Sequence, residues 1–452
     1  MTLTRKEVLD QAWPVILGQA LVPLTGLTDV AVIGRTGDAG ALAGVALGAT
    51  IVNFVFWSFG FLRMGVTGMT AQAYGADRDS EVRATLIRAL ILGIPAGLIM
   101  LLVSPLIVPA ALQMLSVPDD AWQAAHGFTA ARFFGAPAAL GFYALNGWFI
   151  GLGRTRMALL CQIVMNGANV ILDLLLAGIF GLGAVGVGIG TALAEWVALG
   201  TACLLAVRIC GLPLWRASLK NDRILSDTKA LRRMVSVNAD IMIRTLALLL
   251  LFAWFARSGA RLGAVTAAAS HVLMQFVNIS AFVLDGFAFT AEQRTGAAIG
   301  AGSRKAFFRA ARLTGEFSLI GGALFSLLFI LCGPVLIGLL TTDEAVRKTA
   351  LMLLPLCALV PLCGAPGWLL DGIFIGATRG RNLRNAALIV TGAYILTDFL
   401  LRGLDAEGVW TALLLAYLWR ALALGCCLPG LIRDIPEKDE ERSTVPGVVI
   451  KK

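Results

Sequence analysis

Long apolar stretches alternate with short polar segments along the whole chain. A helix needs about 20 mostly apolar residues to cross the hydrocarbon core of a bilayer, and longer helices can tilt, kink or extend beyond the lipid. Twelve stretches qualify, at residues 10–35, 44–73, 84–110, 121–152, 157–181, 184–207, 233–257, 262–299, 311–340, 346–377, 385–402 and 407–430. The pattern therefore predicts an all-α polytopic membrane protein with twelve transmembrane helices. The first stretch contains Pro14, Pro23 and Asp29, which indicates a retained helix rather than a cleaved signal peptide.

The second half of this pattern repeats the first at an offset of 225 residues. Residues 146–151 (Asn-Gly-Trp-Phe-Ile-Gly) correspond to residues 371–376 (Asp-Gly-Ile-Phe-Ile-Gly), and Asp173 corresponds to Asp398. Further pairs at this offset are Arg154 and Arg379, Arg156 and Arg381, and Gly75 and Gly300. Because each half has six helices, both halves have the same orientation, and the repeat is parallel. Two such halves are typical of a secondary transporter, which opens a shared site to either side of the membrane.

The longest polar connection joins the two halves and sets the expected domain limits. We predict two pseudo-symmetric six-helix lobes with a linker and a tail: an N-lobe at 1–207, a cytoplasmic linker at 208–232, a C-lobe at 233–430 and a cytoplasmic tail at 431–452.

Composition and charge agree with a membrane protein and suggest its orientation. Hydrophobic residues make up 58% of the chain and charged residues 14%, a balance that excludes a soluble domain. With the N-terminus in the cytoplasm, 26 of the 37 Lys and Arg residues fall in cytoplasmic segments and six in outside loops. The positive-inside rule therefore predicts that both termini are cytoplasmic. The net charge of +9 is explained by these loops and does not indicate nucleic-acid binding.

Several charged residues lie within the predicted spans, where each costs roughly 2.5–3.5 kcal/mol on insertion scales. The acids are Asp29, Asp173, Glu195, Asp240, Asp285, Glu292, Glu316, Asp371 and Asp398. The bases are Arg63, Arg132, Arg244, Arg294 and Arg420. Such residues normally face a cavity or a partner, so each either serves transport or forms a structural ion pair.

Asp173 has the most informative local context. Asn169 precedes it by four residues, so both side chains share a helix face, and Thr191 lies on the next helix. Asp29 follows Pro23, which can loosen the first helix. Two carboxylates, an amide oxygen and a hydroxyl form a hard oxygen set that suits Na⁺ or a proton equally. The alternative is that the amide and hydroxyl only join neighbouring helices.

The second half has its own acidic set, Asp285, Glu292 and Asp371. The first two are seven residues apart and so lie on roughly the same helix face. These three acids are candidates for a coupling or substrate site in the C-lobe. Arg244 or Arg294 would instead neutralise one of them if the role is structural.

Three sequence segments resemble the multidrug and toxic compound extrusion (MATE) family, in particular its bacterial DinF-like branch. They are residues 27–35 (LTDVAVIGR), residues 285–288 (DGFA) with Glu292, and residues 371–377 (DGIFIGA). The resemblance extends from about residue 5 to residue 430. On the seventh helix, where some branches carry an important acid, this chain has Asp240 near the helix start and Arg244.

The resemblance implies a fold and a function. The fold is a V-shaped pair of six-helix lobes in the bacterial inner membrane. The function is export of amphipathic, often cationic compounds, driven by inward movement of H⁺ or Na⁺. The family's N-lobe cation site, including any bound Na⁺, maps onto Asp29, Asn169, Asp173 and Thr191. We expect no cofactor beyond the coupling ion, and as partners only small substrates and membrane lipid, with the protein acting as a monomer.

The sequence bears on two other functions, of which a flippase stays open. A flippase for lipid-linked oligosaccharides would need a large cationic cavity for a pyrophosphate, and the five arginines within the spans leave that possible. An intramembrane enzyme is not expected, because the sequence has no HExxH motif and no soluble catalytic domain.

Overall fold

The computed structural model describes residues 3–36, 39–219 and 227–435, and within these ranges it is almost entirely helical with no β-strand. Residues 220–226 of the predicted linker and residues 436–452 of the predicted tail lie outside the described residues. The α-helices are α1 (Arg5–Thr36), α2 (Ala39–Ser58), α3 (Phe61–Gly75), α4 (Asp79–Met114), α5 (Asp119–Phe133), α6 (Ala136–Gly151), α7 (Thr155–Asp173), α8 (Gly183–Cys210), α9 (Leu212–Leu219), α10 (Thr228–Arg261), α11 (Ala264–Ala301), α12 (Arg304–Leu340), α13 (Glu344–Gly376), α14 (Gly380–Leu400) and α15 (Asp405–Arg433). A π-helical turn, Leu174–Ile179, follows α7, and a 3-10 turn, Arg402–Leu404, precedes α15.

These helices account for the predicted spans. Within the described residues, eleven helical segments are long and apolar enough to cross a membrane, with α2 and α3 forming one segment, Ala39–Gly75. The pair α5 and α6 passes the same test together and is bent by 50°. Counting that pair as one span gives twelve, and each overlaps one predicted stretch. The prediction of an all-α protein with twelve transmembrane helices is confirmed.

The bent pair α5 and α6 contains a break that the hydrophobic pattern does not reveal. The stretch predicted over residues 121–152 is two helices, because α5 ends at Phe133 and α6 begins at Ala136. Pro137 lies in the first turn of α6, where its missing amide hydrogen and its ring prevent the preceding helix from continuing. A Cβ atom at Gly135 would overlap the Glu195 carboxylate, so a glycine lets the bend lie directly against α8.

The chain folds into two compact units. The N-terminal unit comprises Leu17–Thr70 and Arg78–Val235, and the C-terminal unit comprises Met1–Ile16, Ala71–Asp77 and Ser236–Lys452. Two short segments of the first half, at the start of α1 and the end of α3, thus group with the second half. The predicted lobe limits of 1–207 and 233–430 stay a prediction.

The internal repeat is visible in the closest helix contacts within each unit. In the N-terminal unit, Gly147 on α6 lies against the backbone of Arg63, and Gly151 lies against Thr67. In the C-terminal unit, Gly372 on α13 lies against the backbone of Ala288, and Gly376 against Glu292. Every residue in the second set is 225 positions after its counterpart in the first. Small residues that let backbones approach are the usual means of packing helices in lipid, where no hydrophobic force drives helix association.

Each unit has its own apolar core, and the remaining apolar surface suits lipid. Trp148 and Phe128 are fully buried in the N-terminal unit, and Trp410 and Tyr394 in the C-terminal unit. Many leucine, isoleucine and valine side chains on the long helices are exposed, as expected when the surrounding solvent is hydrocarbon.

Candidate cation-binding site

The predicted first-half set comes together in the N-terminal unit, on three helices. Asp29 is on α1, Asn169 and Asp173 are on α7, and Thr191 is on α8. Asn169 and Asp173 are fully buried, and Asp29 and Thr191 are only 6% and 7% exposed. Four polar side chains buried together in a membrane protein need mutual hydrogen bonds or a bound ion to offset their desolvation.

Hydrogen bonds connect the four side chains. The Asn169 amide donates from Nδ2 to Asp173 Oδ2 at 2.8 Å and to Thr191 Oγ1 at 3.0 Å. The Thr191 hydroxyl lies 3.4 Å from Asp29 Oδ1 and 3.0 Å from the Val187 carbonyl oxygen. Because a hydroxyl has one hydrogen, Thr191 can satisfy only one of these two acceptors at a time. The network therefore orients the acids without satisfying all of their oxygen atoms.

Two oxygen atoms of this network can accept further hydrogen bonds. Asp173 Oδ1 and Asn169 Oδ1 are buried and have no hydrogen-bond donor among the described residues. The carboxyl groups of Asp29 and Asp173 are within hydrogen-bonding contact of each other. Two carboxylates cannot share a hydrogen bond unless a proton lies between them, and two negative charges repel unless a cation joins them. The geometry therefore favours a proton or a small hard cation at this point.

Local structure explains how α7 and α8 present these groups. Asp173 is the last residue of α7, and the π-helical turn Leu174–Ile179 begins directly after it. Such turns place one extra residue in the helix and are frequent at functional sites. On α8, a Cβ at Gly190 would overlap Asp173 Oδ1, so glycine at this position leaves the carboxylate its space.

One ion pair near the site could not be assigned from the sequence. Arg132 on α5 donates to Glu195 Oε1 on α8 at 2.9 Å, and both residues are buried. Arg132 also acts electrostatically on Asp29 and Asp173. The sequence marks Arg132 and Glu195 as charges within spans, but 63 residues separate them and only the packing of α5 on α8 pairs them. The Arg132 guanidinium is thus hydrogen-bonded to Glu195, and it attracts the two aspartates electrostatically without a direct bond to them.

The predicted second-half set differs from the first because arginines are bonded to one of its acids. Asp371 on α13 is bonded by Arg244 from α10 and by Arg420 from α15, whose Nε lies 3.3 Å from Asp371 Oδ1. Of the two arginines offered as partners by the sequence, Arg244 pairs with an acid, whereas Arg294 donates to Gln11 Oε1 at 2.7 Å. Arg420 is a second partner that sequence spacing did not indicate.

The other two acids of that set lie near this triad. Asp285 acts electrostatically on both Arg244 and Arg420, and the fully buried Glu292 acts on Arg244. Asp285, Glu292 and Asp371 therefore belong to one mixed-charge cluster with two arginines. Asp240, lower on α10, is bonded to Arg384 at 2.6 Å and is separate from this cluster.

The types of side chain in these sets also limit which ion they could bind. Within the described ranges, no group of three or more His, Cys, Asp or Glu side chains could hold a metal ion. The first-half set instead combines two carboxylates with an amide and a hydroxyl. Oxygen-only sets of this kind suit hard cations and not the transition metals that prefer nitrogen or sulfur.

Comparisons with known proteins agree with this architecture. The MatE family model matches residues 14–175 and 241–400, once in each half of the repeat. The chain is 33% identical to DNA damage-inducible protein F of Escherichia coli K12, over 94% of this chain and 92% of that protein. It is 30% identical to the probable multidrug resistance protein NorM of Bradyrhizobium diazoefficiens, over 89% and 88% of the two chains.

The fold is also found among solved structures. A crystal structure of MATE in the straight conformation superposes with a TM-score of 0.84 at 17% identity, and the match covers 95% of this chain and 97% of that one. At that identity the likeness concerns the fold alone. Together with the family model, the relatives place the sequence without ambiguity: the chain belongs to the MatE family of multidrug and toxic compound extrusion transporters.

Proposed function

We propose that the protein is an H⁺- or Na⁺-coupled antiporter that exports amphipathic, often cationic compounds across the bacterial inner membrane by alternating access. Members of its family are transporters and not enzymes. The observation that carries the proposal is the buried contact between Asp29 and Asp173, with oxygen atoms on Asp173 and Asn169 that have no donor among the described residues. This arrangement is unfavourable when empty and favourable when it holds a positive charge.

The coupling mechanism follows from where Asp29 lies. Asp29 is on α1, six residues after Pro23, and the other three side chains are on α7 and α8. A bound cation joins α1 to α7 and α8, whereas its loss leaves two carboxylates that repel each other. Binding thus biases the position of α1, and substrate affinity changes with it. A coupling ion can act only through such a difference in affinity between two states.

The available energy is sufficient for this task. One elementary charge moving down a potential of 100 mV releases about 2.3 kcal/mol, which corresponds to a roughly 50-fold concentration ratio. For an uncharged substrate, a single coupling ion per cycle therefore supports moderate accumulation outside the cell, and each further ion multiplies that ratio. A singly charged cationic substrate exchanged for one ion moves no net charge, so its export is driven by the concentration gradient of the coupling ion.

The flippase alternative receives less support from the arginines. Four of the five arginines within the predicted spans are bonded to other side chains: Arg132 to Glu195, Arg244 and Arg420 to Asp371, and Arg294 to Gln11. A pyrophosphate site requires guanidinium groups that are available to the ligand. These contacts favour a structural role for most of this positive charge.

Efflux from reconstituted vesicles tests the proposal. A fluorescent cationic dye is loaded, and a pH gradient or a Na⁺ gradient is imposed separately on wild type, Asp29→Asn and Asp173→Asn. We expect one gradient to drive transport in the wild type and both variants to lose the gradient-driven part. Asp10→Asn is the matched control, because Asp10 is an exposed aspartate on the same helix α1 and should retain full coupling.

The outcomes separate the alternatives. Coupled efflux that survives both substitutions would move coupling away from Asp29 and Asp173, toward Asp285, Glu292 or Asp371. Vesicles in which neither gradient drives efflux, but which flip a lipid-linked oligosaccharide, would replace the antiporter proposal with the flippase.

A further inference from the structure

Asp398, near the end of α14, has an environment that the coupling scheme above does not use. Its Oδ2 accepts hydrogen bonds from Trp254 Nε1 at 3.0 Å and from Ser258 Oγ at 2.9 Å, both on α10. The side chain is only 2% exposed. Its other oxygen, Oδ1, is buried and has no donor among the described residues, and the buried hydroxyl of Tyr394 likewise has no partner there. Tyr394 precedes Asp398 by one helical turn.

The repeat relates this environment to the first-half site. Asp398 corresponds to Asp173 at the offset of 225 residues, Trp254 to Asp29, and Tyr394 to Asn169. The spatial relation is kept as well. Asp173 contacts Asp29 on the first helix of its half, and Asp398 contacts Trp254 on the first helix of the other half. The second half therefore retains the buried acid of the pair, with an indole in place of the first acid.

Contacts between α10 and α14 show that this acid differs from its neighbours. The two helices are joined at seven-residue intervals, by Arg384 to Asp240 and by Thr391 to the Ala247 carbonyl at 3.0 Å. Asp398 with Trp254 is the next contact of this series. In the first contact Arg384 neutralises Asp240, and the second contact joins two neutral groups. Within the described part of the chain, Asp398 has two neutral donors, which orient a carboxylate but do not cancel its charge.

Among the described residues, no ion pair to Asp398 is formed by the charged groups of the surrounding elements. Those nearest in the chain are Arg257 on α10, Arg402 in the 3-10 turn, and Asp405 and Glu407 at the start of α15, and all four are exposed. The two arginines lie over aromatic rings, Arg257 over Trp254 at 5.2 Å and Arg402 over Phe399 at 4.4 Å. The titratable group that faces Asp398 from its own helix is Tyr394, which acts on it electrostatically.

We propose that Asp398 is a second proton-binding site, built into the C-terminal half as the counterpart of Asp173. The proposal rests on the cation-coupled function above and adds one proton to its cycle. A proton taken from water on one side binds Oδ1, the oxygen that has no donor among the described residues. Oδ2 keeps its bonds from Trp254 and Ser258 in both states, because the carbonyl oxygen of a neutral carboxyl also accepts. Release on the other side restores the carboxylate.

The same groups argue against Na⁺ at this position. A hard cation prefers several oxygen ligands, typically about six or more in protein calcium sites. Here the indole N–H of Trp254 is a donor and cannot ligate a cation. Among the described residues, the oxygen atoms left here without hydrogen-bond partners are Asp398 Oδ1 and the Tyr394 hydroxyl, which is enough for a proton and too few for a metal ion.

Infrared difference spectroscopy of the full-length protein in lipid tests the proposal directly. Spectra at low and high pH are subtracted for wild type, Asp398→Asn and Ser258→Ala. We expect one carboxyl C=O band to be lost in Asp398→Asn. In Ser258→Ala the same band should move to higher frequency, because one hydrogen bond to the carbonyl is gone. Asp240→Asn is the control, since Asp240 is bonded to Arg384 on the same helix pair and its loss should leave the band unchanged.

A transport measurement tests what protonation of Asp398 contributes to the transport cycle. The number of protons exchanged per substrate, measured from the gradient that just balances transport, should fall by one in Asp398→Asn while Asp29 and Asp173 are intact. If Asp398→Asn does not fold, Ser258→Ala must still move the band. A band that neither variant changes, or one that responds to Na⁺ at constant pH, would overturn the proposal.

The two proposals fail separately. The infrared band does not depend on transport, so its presence with no gradient-driven efflux would remove the antiporter function and keep the proton site. Coupled efflux without the band would keep the antiporter and leave Asp398 as a purely structural link between α10 and α14.

Discussion

At the scale of single residues, the N-terminal site shows how much a side chain depends on the space left for it. Asp173 Oδ1 lies against Gly190, and its partner Asn169 reaches it from one turn earlier on the same helix. The residue types and the spacing of Asn169 and Asp173 were sufficient to predict that they act together. The role of Gly190 was not, because only the packing of α7 on α8 puts it beneath the carboxylate.

Gly190→Ala should therefore impair cation coupling. The added methyl group overlaps Asp173 Oδ1, so the carboxylate must move, and overpacking of this kind typically costs about 1–3 kcal/mol. We expect a lower thermal unfolding midpoint and a loss of gradient-driven efflux. Gly200→Ala is the matched control: Gly200 is on the same helix α8 with open space around its Cα, and this variant should behave as wild type. Equal behaviour of the two variants would contradict the packing described for Gly190.

At the scale of helices, two repeat-related glycines form reciprocal close contacts. Within the C-terminal unit, Gly75 lies against the backbone of Ala297, and Gly300 lies against the backbone of Gln72. Gly75 and Gly300 are repeat mates, and so are Gln72 and Ala297, so the two contacts are reciprocal. The sequence revealed that these glycines correspond to each other. That they meet each other's neighbours is a property of how α3 and α11 cross.

Substitutions at repeat-related glycines should separate tight positions from open ones. Gly75→Ala and Gly300→Ala each place a methyl group into a facing backbone, which cannot rotate away as a side chain can. We expect both to lower stability by about 1–3 kcal/mol. Gly167→Ala and Gly392→Ala, a second pair of repeat mates with nothing within 4 Å of the added atom, should be nearly neutral. Thermal unfolding of the four purified variants measures the difference, and a Gly167→Ala or Gly392→Ala variant as unstable as the tight pair would contradict the claim that the space around each glycine sets the cost.

At the scale of the whole molecule, the charge pattern predicts an orientation that the helices by themselves do not determine. A helix can cross a bilayer in either direction, and the excess of Lys and Arg in alternate loops decides between them. The even number of spans then puts both ends of the chain on the same side. This prediction is independent of which ion drives transport.

Accessibility of introduced cysteines tests that orientation. On a background in which the eight native cysteines are replaced, Gly403→Cys lies in the turn before α15 and Lys229→Cys at the start of α10. A membrane-impermeant maleimide added to intact cells should label Gly403→Cys strongly and Lys229→Cys only after the cells are opened. Both positions are exposed, so burial does not explain a difference. The reverse labelling pattern would place the termini outside.

The sequence by itself determined the elements, because crossing a hydrocarbon layer forces each span to be a long apolar helix. It also determined the duplication, and it predicted the four residues of the first-half set because a carboxylate within a span normally faces a cavity or a partner. Only the tertiary structure decided which polar groups meet: Arg420 with Asp371, Arg132 with Glu195, and Trp254 with Asp398. These partners are on different helices, far apart in the chain, and contact depends on helix rotation and crossing, which hydrophobic length does not specify.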